Sequence, residues 1–304
     1  MKRMRIPLII FLGITLLGII LGSFLDLKLS QSIGDSQNFF GLLISVLAPT
    51  IGFSGLALIG GGYFALGLEK KWKPLVRVVF FALSVAIFAA CTYFAGVEYF
   101  NANGFYQKAS KFVGFVISGP VMLFFTALGY FLFRGNENKY TWLILAIMAG
   151  VIFMALVPGT TVLKQIFHRP RYRAVAAYGI DFYPWWKPCS NYRDIMAHYG
   201  LDSEEFKSFP SGHTCESTIF IPLITFLPLI IKKTEKIQYP LFVGAIAFTF
   251  LVAFCRILAG AHYLSDVSTG ALLTVLFTFI ANEIVMRRKA LQLPQEEVAP
   301  EPAK

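Results

Sequence analysis

Apolar residues gather along the chain into windows of roughly twenty, at 6–25, 42–68, 75–97, 112–133, 140–163, 211–231, 240–258 and 264–286. A helix needs about 20 predominantly apolar residues to cross the hydrocarbon core of a bilayer. None of the windows alternates with the period of two that marks a barrel strand, and unpaired backbone polar groups cannot face lipid. The pattern therefore predicts an all-α fold: a polytopic membrane helical bundle of about eight transmembrane helices. The polar connections are short, with one exception. Residues 164–210, between the fifth and sixth windows, are polar yet rich in aromatics, among them Tyr172, Tyr178, Tyr183, Trp185, Trp186 and Tyr192. Long connections in compact proteins are usually functional, and aromatic rings sit well at headgroup depth, so a folded outer element is expected there.

Composition supports a membrane chain. Of 304 residues, 56% are hydrophobic and 14% charged, where a soluble domain carries about 25% charged residues. The net charge of +10 would suit nucleic acid, but its distribution follows topology. With the N-terminus inside, the inner segments hold Lys2, Arg3 and Arg5; Lys70, Lys71, Lys73 and Arg77; Arg134 and Lys139; Lys232, Lys233 and Lys236; and Arg287, Arg288 and Lys289. The two short outer connections hold only Lys28, Lys108 and Lys111. This positive-inside bias predicts a multi-pass protein of the cell membrane with both termini cytoplasmic, and no nucleic-acid partner. The first window is longer than a signal-peptide core and no small-residue cleavage site follows it, so a retained helix is expected. Cys91, Cys189, Cys215 and Cys255 are scattered, with no CxxC pair and no disulfide framework. The chain divides into residues 1–139 with helices one to four, a core at 140–290 with helices five to eight and the outer loop 164–210, and a tail at 291–304 whose prolines and glutamates predict disorder.

Helix counting brings three polar clusters to one membrane face, the extracytoplasmic one. They are Lys164 with Arg169-Pro170-Arg171, then Pro210-Ser211-Gly212-His213, then Cys255-Arg256 with His262 and Asp266. Lys and Arg supply charge and fixed donors for phosphoryl oxygens. The Pro210-Ser211-Gly212 turn opens a helix whose first N–H groups favour an anion, and glycine allows close approach. His262 and Asp266 lie four apart, so on a helix they share a face, and the aspartate can hold one imidazole nitrogen while the other attacks. His213 is suited to protonating a leaving oxygen. Glu216, one turn beyond His213, needs a partner at that depth; it either bonds a site residue, meets a substrate headgroup or is a satisfied structural group. A lone His or a lone border Arg has an ordinary structural explanation, whereas this gathering has none of similar weight. A metal pair of His262 and Asp266 lacks further His or Cys ligands at suitable spacing, so no metal and no cofactor are expected.

These clusters resemble the signature of the type 2 phosphatidic acid phosphatase superfamily: lysine, six residues, Arg-Pro; Pro-Ser-Gly-His; then Ser-Arg, five residues, His, three residues, Asp. Pro210-Ser211-Gly212-His213 matches fully, as do Arg256, His262 and Asp266 in identity and spacing. Cys255 stands where the family has serine. Arg171 keeps the family's distance from Lys164 but is followed by Tyr172, while Arg169-Pro170 offers the dipeptide two residues early. Either arginine could be the phosphate ligand, and the spacing favours Arg171 with Arg169 auxiliary. The resemblance implies a metal-independent lipid phosphatase: His262 as nucleophile forming a phosphohistidine, Asp266 orienting it, and His213 as acid and then base. Lys164, Arg171, Ser211, Gly212 and Arg256 would hold the phosphoryl oxygens. Implied substrates are lipid phosphates such as phosphatidic acid, phosphatidylglycerol phosphate or polyprenyl diphosphates, with a lipid phosphotransferase as the related alternative. From a different class, a membrane transporter with an anion site remains, although no internal repeat supports it.

Overall fold

The computed structural model describes residues 2–101 and 111–288, and these are helical with no strand among them. Four long helices come first: α1 (Lys2–Ile33), α2 (Phe39–Leu68), α3 (Pro74–Asn101) and α4 (Lys111–Phe133). Then α5 (Thr141–Met154) runs through a π-helical stretch (Ala155–Val162) into α6 (Leu163–Phe167). The long connection carries α7 (Tyr172–Tyr178) and α8 (Tyr192–Tyr199), followed by α9 (Gly212–Ser217), α10 (Phe220–Phe226), α11 (Gln238–Leu258) and α12 (Leu264–Arg287). The tail at 291–304 lies outside the described residues.

Among the described residues, seven helical stretches are long and apolar enough to cross a membrane. The eighth expected span, 211–231, departs from prediction because it is interrupted. The Thr218 hydroxyl bonds back to the Cys215 carbonyl (2.6 Å) and Ser217 to the Thr214 carbonyl (2.8 Å), side-chain bonds that compete with a continuing helix. Pro222 then withholds the N–H that the Thr218 carbonyl would have received. The break is tolerable because Ile221, Leu223, Ile224 and Phe226 are buried, so protein rather than lipid surrounds the irregular backbone. The segment still traverses the bundle: Ser211 starts among the polar clusters, and the Leu229 and Ile230 carbonyls accept from Asn138 (2.7 Å) and Asn136 (2.8 Å) in the α4–α5 turn.

Helix α2 is the hub, with 67% of its most apolar window buried, where α3 and α4 leave most of theirs uncovered for lipid. Glycines let its neighbours come close; a Cβ on Gly61 would stand 2.0 Å from the Thr126 carbonyl of α4, and one on Gly52 2.5 Å from that of Glu216. Helix α1 packs on α12, and its opposite end is tied by Arg5 to Glu283 (3.0 Å), which puts the start of α1 and the end of α12 at one end of the bundle. The segment 164–210 is folded as expected, around a small core of Ala174, Ile180, Cys189 and Phe206. Trp185 anchors it to α1 by donating to Ser23 (3.0 Å), and its ring stacks on Phe209.

The closest approach to a main-chain atom near the polar clusters is that of Gly270 on α12, where a Cβ would lie 2.3 Å from the Ser211 carbonyl oxygen. Both partners are backbone-held, so Gly270→Ala must push α9 from α12. Thermal unfolding in detergent is expected to show a loss of about 1–3 kcal/mol, the usual effect of overpacking. An unchanged midpoint would mean the contact is softer than described.

Candidate active site

The end of the π-helical stretch sets the first cationic group. Pro158 lacks a donor, and the hydroxyls of Thr160 and Thr161 donate five residues back, to the Ala155 (2.8 Å) and Leu156 (3.1 Å) carbonyls. A wider turn rotates everything after it relative to a continuing α-helix, and such turns recur at functional sites. Here it delivers Lys164 to Gly212: a Cβ on that glycine would stand 3.2 Å from Nζ and 3.6 Å from Glu216 Oε1. The glycine thus keeps open the space in which ammonium and carboxylate approach, which places Glu216 beside a site residue.

Ser211 caps α9, its Oγ accepting from the Thr214 hydroxyl (3.0 Å) while its N–H donates to the Asp266 carbonyl (3.0 Å). With only six residues, α9 has little dipole of its own.

Main-chain carbonyls hold both imidazoles. His213 Nε2 lies 3.0 Å from the Ser45 carbonyl of α2. A carbonyl only accepts, so Nε2 carries the hydrogen and Nδ1 is the exchangeable nitrogen. His262 Nδ1 lies 2.7 Å from the Ser208 carbonyl, so Nδ1 donates there and Nε2 keeps its lone pair. The expectation that His262 and Asp266 share a helix face is corrected. His262 sits in the turn before α12, Asp266 in its first turn, and the two are 3.8 Å apart, beyond a hydrogen bond. Asp266 acts one step back: its Oδ2 accepts from Ser208 Oγ (2.5 Å) and from the Tyr263 N–H (2.9 Å), fixing the residue whose carbonyl orients the imidazole.

The two arginines of the first cluster have different surroundings. Arg169 is 1% exposed; Nη1 donates to Asp266 Oδ1 (2.5 Å) and Ser265 Oγ (2.9 Å), Nη2 to Asp26 Oδ2 (2.9 Å), and Nε to the Tyr183 carbonyl (2.8 Å). Its guanidinium also lies against the Tyr263 ring, 4.1 Å from the centroid. Protein groups occupy it, so it is no auxiliary anion ligand. Arg171 stands just ahead of α7, 3.5 Å from Glu204 at the rim, and its charge acts on both imidazoles. Arg256, on the last turn of α11, donates to Ser45 Oγ and also acts on both. Burial, then Arg256, Arg171 and Lys164, hold the His262 imidazole well below its ordinary pKa. It is therefore neutral, with its lone pair available, at neutral pH.

Three contributors were not singled out from the sequence. Ser45 and Ser208 act through main-chain carbonyls, which no residue pattern reveals. Asp26 had a signal: a lone carboxylate at the end of an apolar run. Among the described residues, no group of three or more His, Cys, Asp or Glu side chains is placed to hold a metal ion.

The sequence model of the PAP2 superfamily matches residues 139–290, half of the chain. No curated protein and no solved structure matches it. The matched half runs from before α5 to beyond α12 and contains Lys164, Arg171, His213, Arg256, His262 and Asp266. The chain belongs to the PAP2 superfamily, whose chemistry is that of phosphatases acting on phosphate esters.

Proposed function

We propose that the protein is a membrane phosphatase that hydrolyses a lipid phosphate or diphosphate through a phosphohistidine on His262. The observation that carries this reading is the position of His262: its Nδ1 is committed to the Ser208 carbonyl, so Nε2 presents a lone pair among Lys164, Arg171 and Arg256. In the first step Nε2 attacks phosphorus and the P–O bond to the lipid breaks, while His213, protonated at Nδ1 beside the negative charge of the bound phosphate, gives that proton to the leaving oxygen. In the second step water attacks phosphorus, the P–N bond breaks, and His213 takes up the water proton. The three cations, with Ser211 and the main chain at Gly212, hold the phosphoryl oxygens. The charge of Asp266 favours the imidazolium form of His262 through Ser208. By the positive-inside rule the site faces away from the cytoplasm, since Arg5, Asn136 and the Lys232–Ile237 turn mark the opposite end.

A lipid substrate is supported by an apolar cavity of about 410 Å³ between α1 and the α11–α12 pair, lined by Leu17, Leu21, Phe250 and Phe254. It extends to Thr214, the residue after His213, and to Leu264, two after His262, so a hydrocarbon chain bound there would lead to the reacting groups. The interrupted crossing at 211–231 is the one feature that favours a transporter. Its break is closed by hydroxyl bonds from Ser217 and Thr218, and the polar groups lie at one end.

Purified protein in detergent is expected to release phosphate from phosphatidic acid, phosphatidylglycerol phosphate or undecaprenyl diphosphate. It should keep doing so in excess chelator, because cationic side chains meet the phosphoryl charge. Anion uptake into proteoliposomes without phosphate release would favour the transporter. His262→Ala should remove turnover and any phospho-enzyme. His213→Ala should slow alkyl phosphates by a factor on the order of 10²–10⁴, and p-nitrophenyl phosphate, with its better leaving group, by less. Equal losses on both substrates would take the acid role from His213. Ala253→Trp, which fills the apolar cavity, should lower kcat/KM for long-chain lipids by about tenfold, near 1.4 kcal/mol, and leave p-nitrophenyl phosphate unaffected. A parallel loss on both would place the hydrocarbon elsewhere.

A further inference from the structure

Asp26 is 2% exposed, on a helix outside the half of the chain that defines the family. Every hydrogen-bond partner of its carboxylate is a donor, while the Asp266 carboxylate across Arg169 is a like charge. Oδ1 accepts from the Ser265 N–H (2.9 Å), and Oδ2 accepts from Arg169 Nη2 (2.9 Å) and from the Ser265 hydroxyl. Asp266 is surrounded in the same way, by Arg169 Nη1, Ser208 Oγ and the Tyr263 N–H. A ring of donors suits an ionised carboxylate, which only accepts. With both carboxylates ionised on one guanidinium, the cluster keeps one net negative charge. Alone with Arg169, Asp266 would be neutralised, with no charge left to act on His262. Buried charges interact strongly because little water screens them.

We propose that Asp26 is a positioning and charge-balancing residue for catalysis: by taking up half of Arg169 it leaves the charge of Asp266 to support the cationic imidazole and phosphohistidine of His262. The inference rests on the phosphatase reading above. The geometry gives Asp26 two handles. It grips the Ser265 N–H in the first turn of α12, which fixes the turn containing His262, and it shares the guanidinium that reaches Asp266. Close packing preserves the register, since a Cβ on Gly22 would stand 2.7 Å from Ser265 N and 2.8 Å from Asp26 Oδ1. The other charged or titratable groups facing His262 are Arg256 on α11, Lys164 on α6, Arg171 ahead of α7 and His213 on α9. Glu204 lies behind Arg171, and Glu216 lies by Lys164. The three cations oppose a positive His262, so the surplus negative charge from the Asp26 side is the counterweight.

The test compares Asp26→Asn, Arg169→Gln and the double variant, with kcat, KM and the acid limb of kcat/KM measured on one substrate. Removing Asp26's charge makes the cluster neutral, so kcat should fall by about tenfold with KM little changed. The acid limb should also move to lower pH by about half a unit or more, because protonated His262 is less favoured. Arg169→Gln adds net negative charge and should move the limb upward. The double variant restores the wild-type balance and should return it towards the wild-type position. A merely structural role would damage the double variant at least as much as either single one and leave the three limbs together, and that result would overturn the proposal. Should Asp26→Asn fail to fold, the comparison of Arg169→Gln with the double variant reads the same coupling. An inactive wild-type protein would sink the phosphatase reading and this inference with it; active wild type with coincident limbs sinks the inference alone.

Discussion

Arg169 carries its charge to a place where it is 1% exposed, between Asp26 of α1 and Asp266 of α12. A charge so far from water is tolerable only while its partners stay, and removing one partner of such a buried pair costs about 3–5 kcal/mol. Much of the architecture converges on keeping that arrangement. The Tyr183 carbonyl brings in the long connection, the Tyr263 ring covers the guanidinium, and Ser265 bridges it to Asp26. The first helix, whose other surfaces face lipid, is thereby locked to the last. The site inherits its rigidity from this buried knot, since Asp266 also fixes Ser208 and, through it, His262.

The fold was legible because the bilayer imposes one length and one kind of element. Seven of the eight expected crossings are continuous helices, and the eighth fails where Thr218 and Pro222 interrupt it. Such a break depends on what surrounds the backbone, which residue order does not disclose. The site was legible in its charged and titratable members, which cannot be placed in a membrane without a reason. Spacing ranked Arg171 above Arg169 as the phosphate ligand, and it was silent on what else Arg169 holds. Only the coordinates show Arg169 spent on two carboxylates, one of them more than a hundred residues away in sequence.

The first two helices gain a purpose from the same geometry. The family resemblance spoke only for the later half, yet α2 presents Ser45 to both His213 and Arg256, and α1 presents Asp26 to Arg169. The N-terminal crossings therefore form part of the wall of the site. Glycines at 22 and 52 make these approaches possible, by letting α1 and α2 reach α12 and α9 at backbone distance.

The main-chain hold on the imidazoles bears on how the protein can vary. His213 and His262 are both oriented by carbonyl oxygens, those of Ser45 and Ser208. Every amino acid carries a carbonyl, so no substitution at either position deletes that acceptor directly. The choice of which nitrogen is free is written into the path of the chain rather than into side-chain identity. A substitution at either position keeps the tautomers while the helices hold their register, but it gives up the hydroxyl bond of Ser208 to Asp266 or that of Arg256 to Ser45. What selection must guard is the spacing between helices, and a search for exchangeable catalytic residues would pass over it.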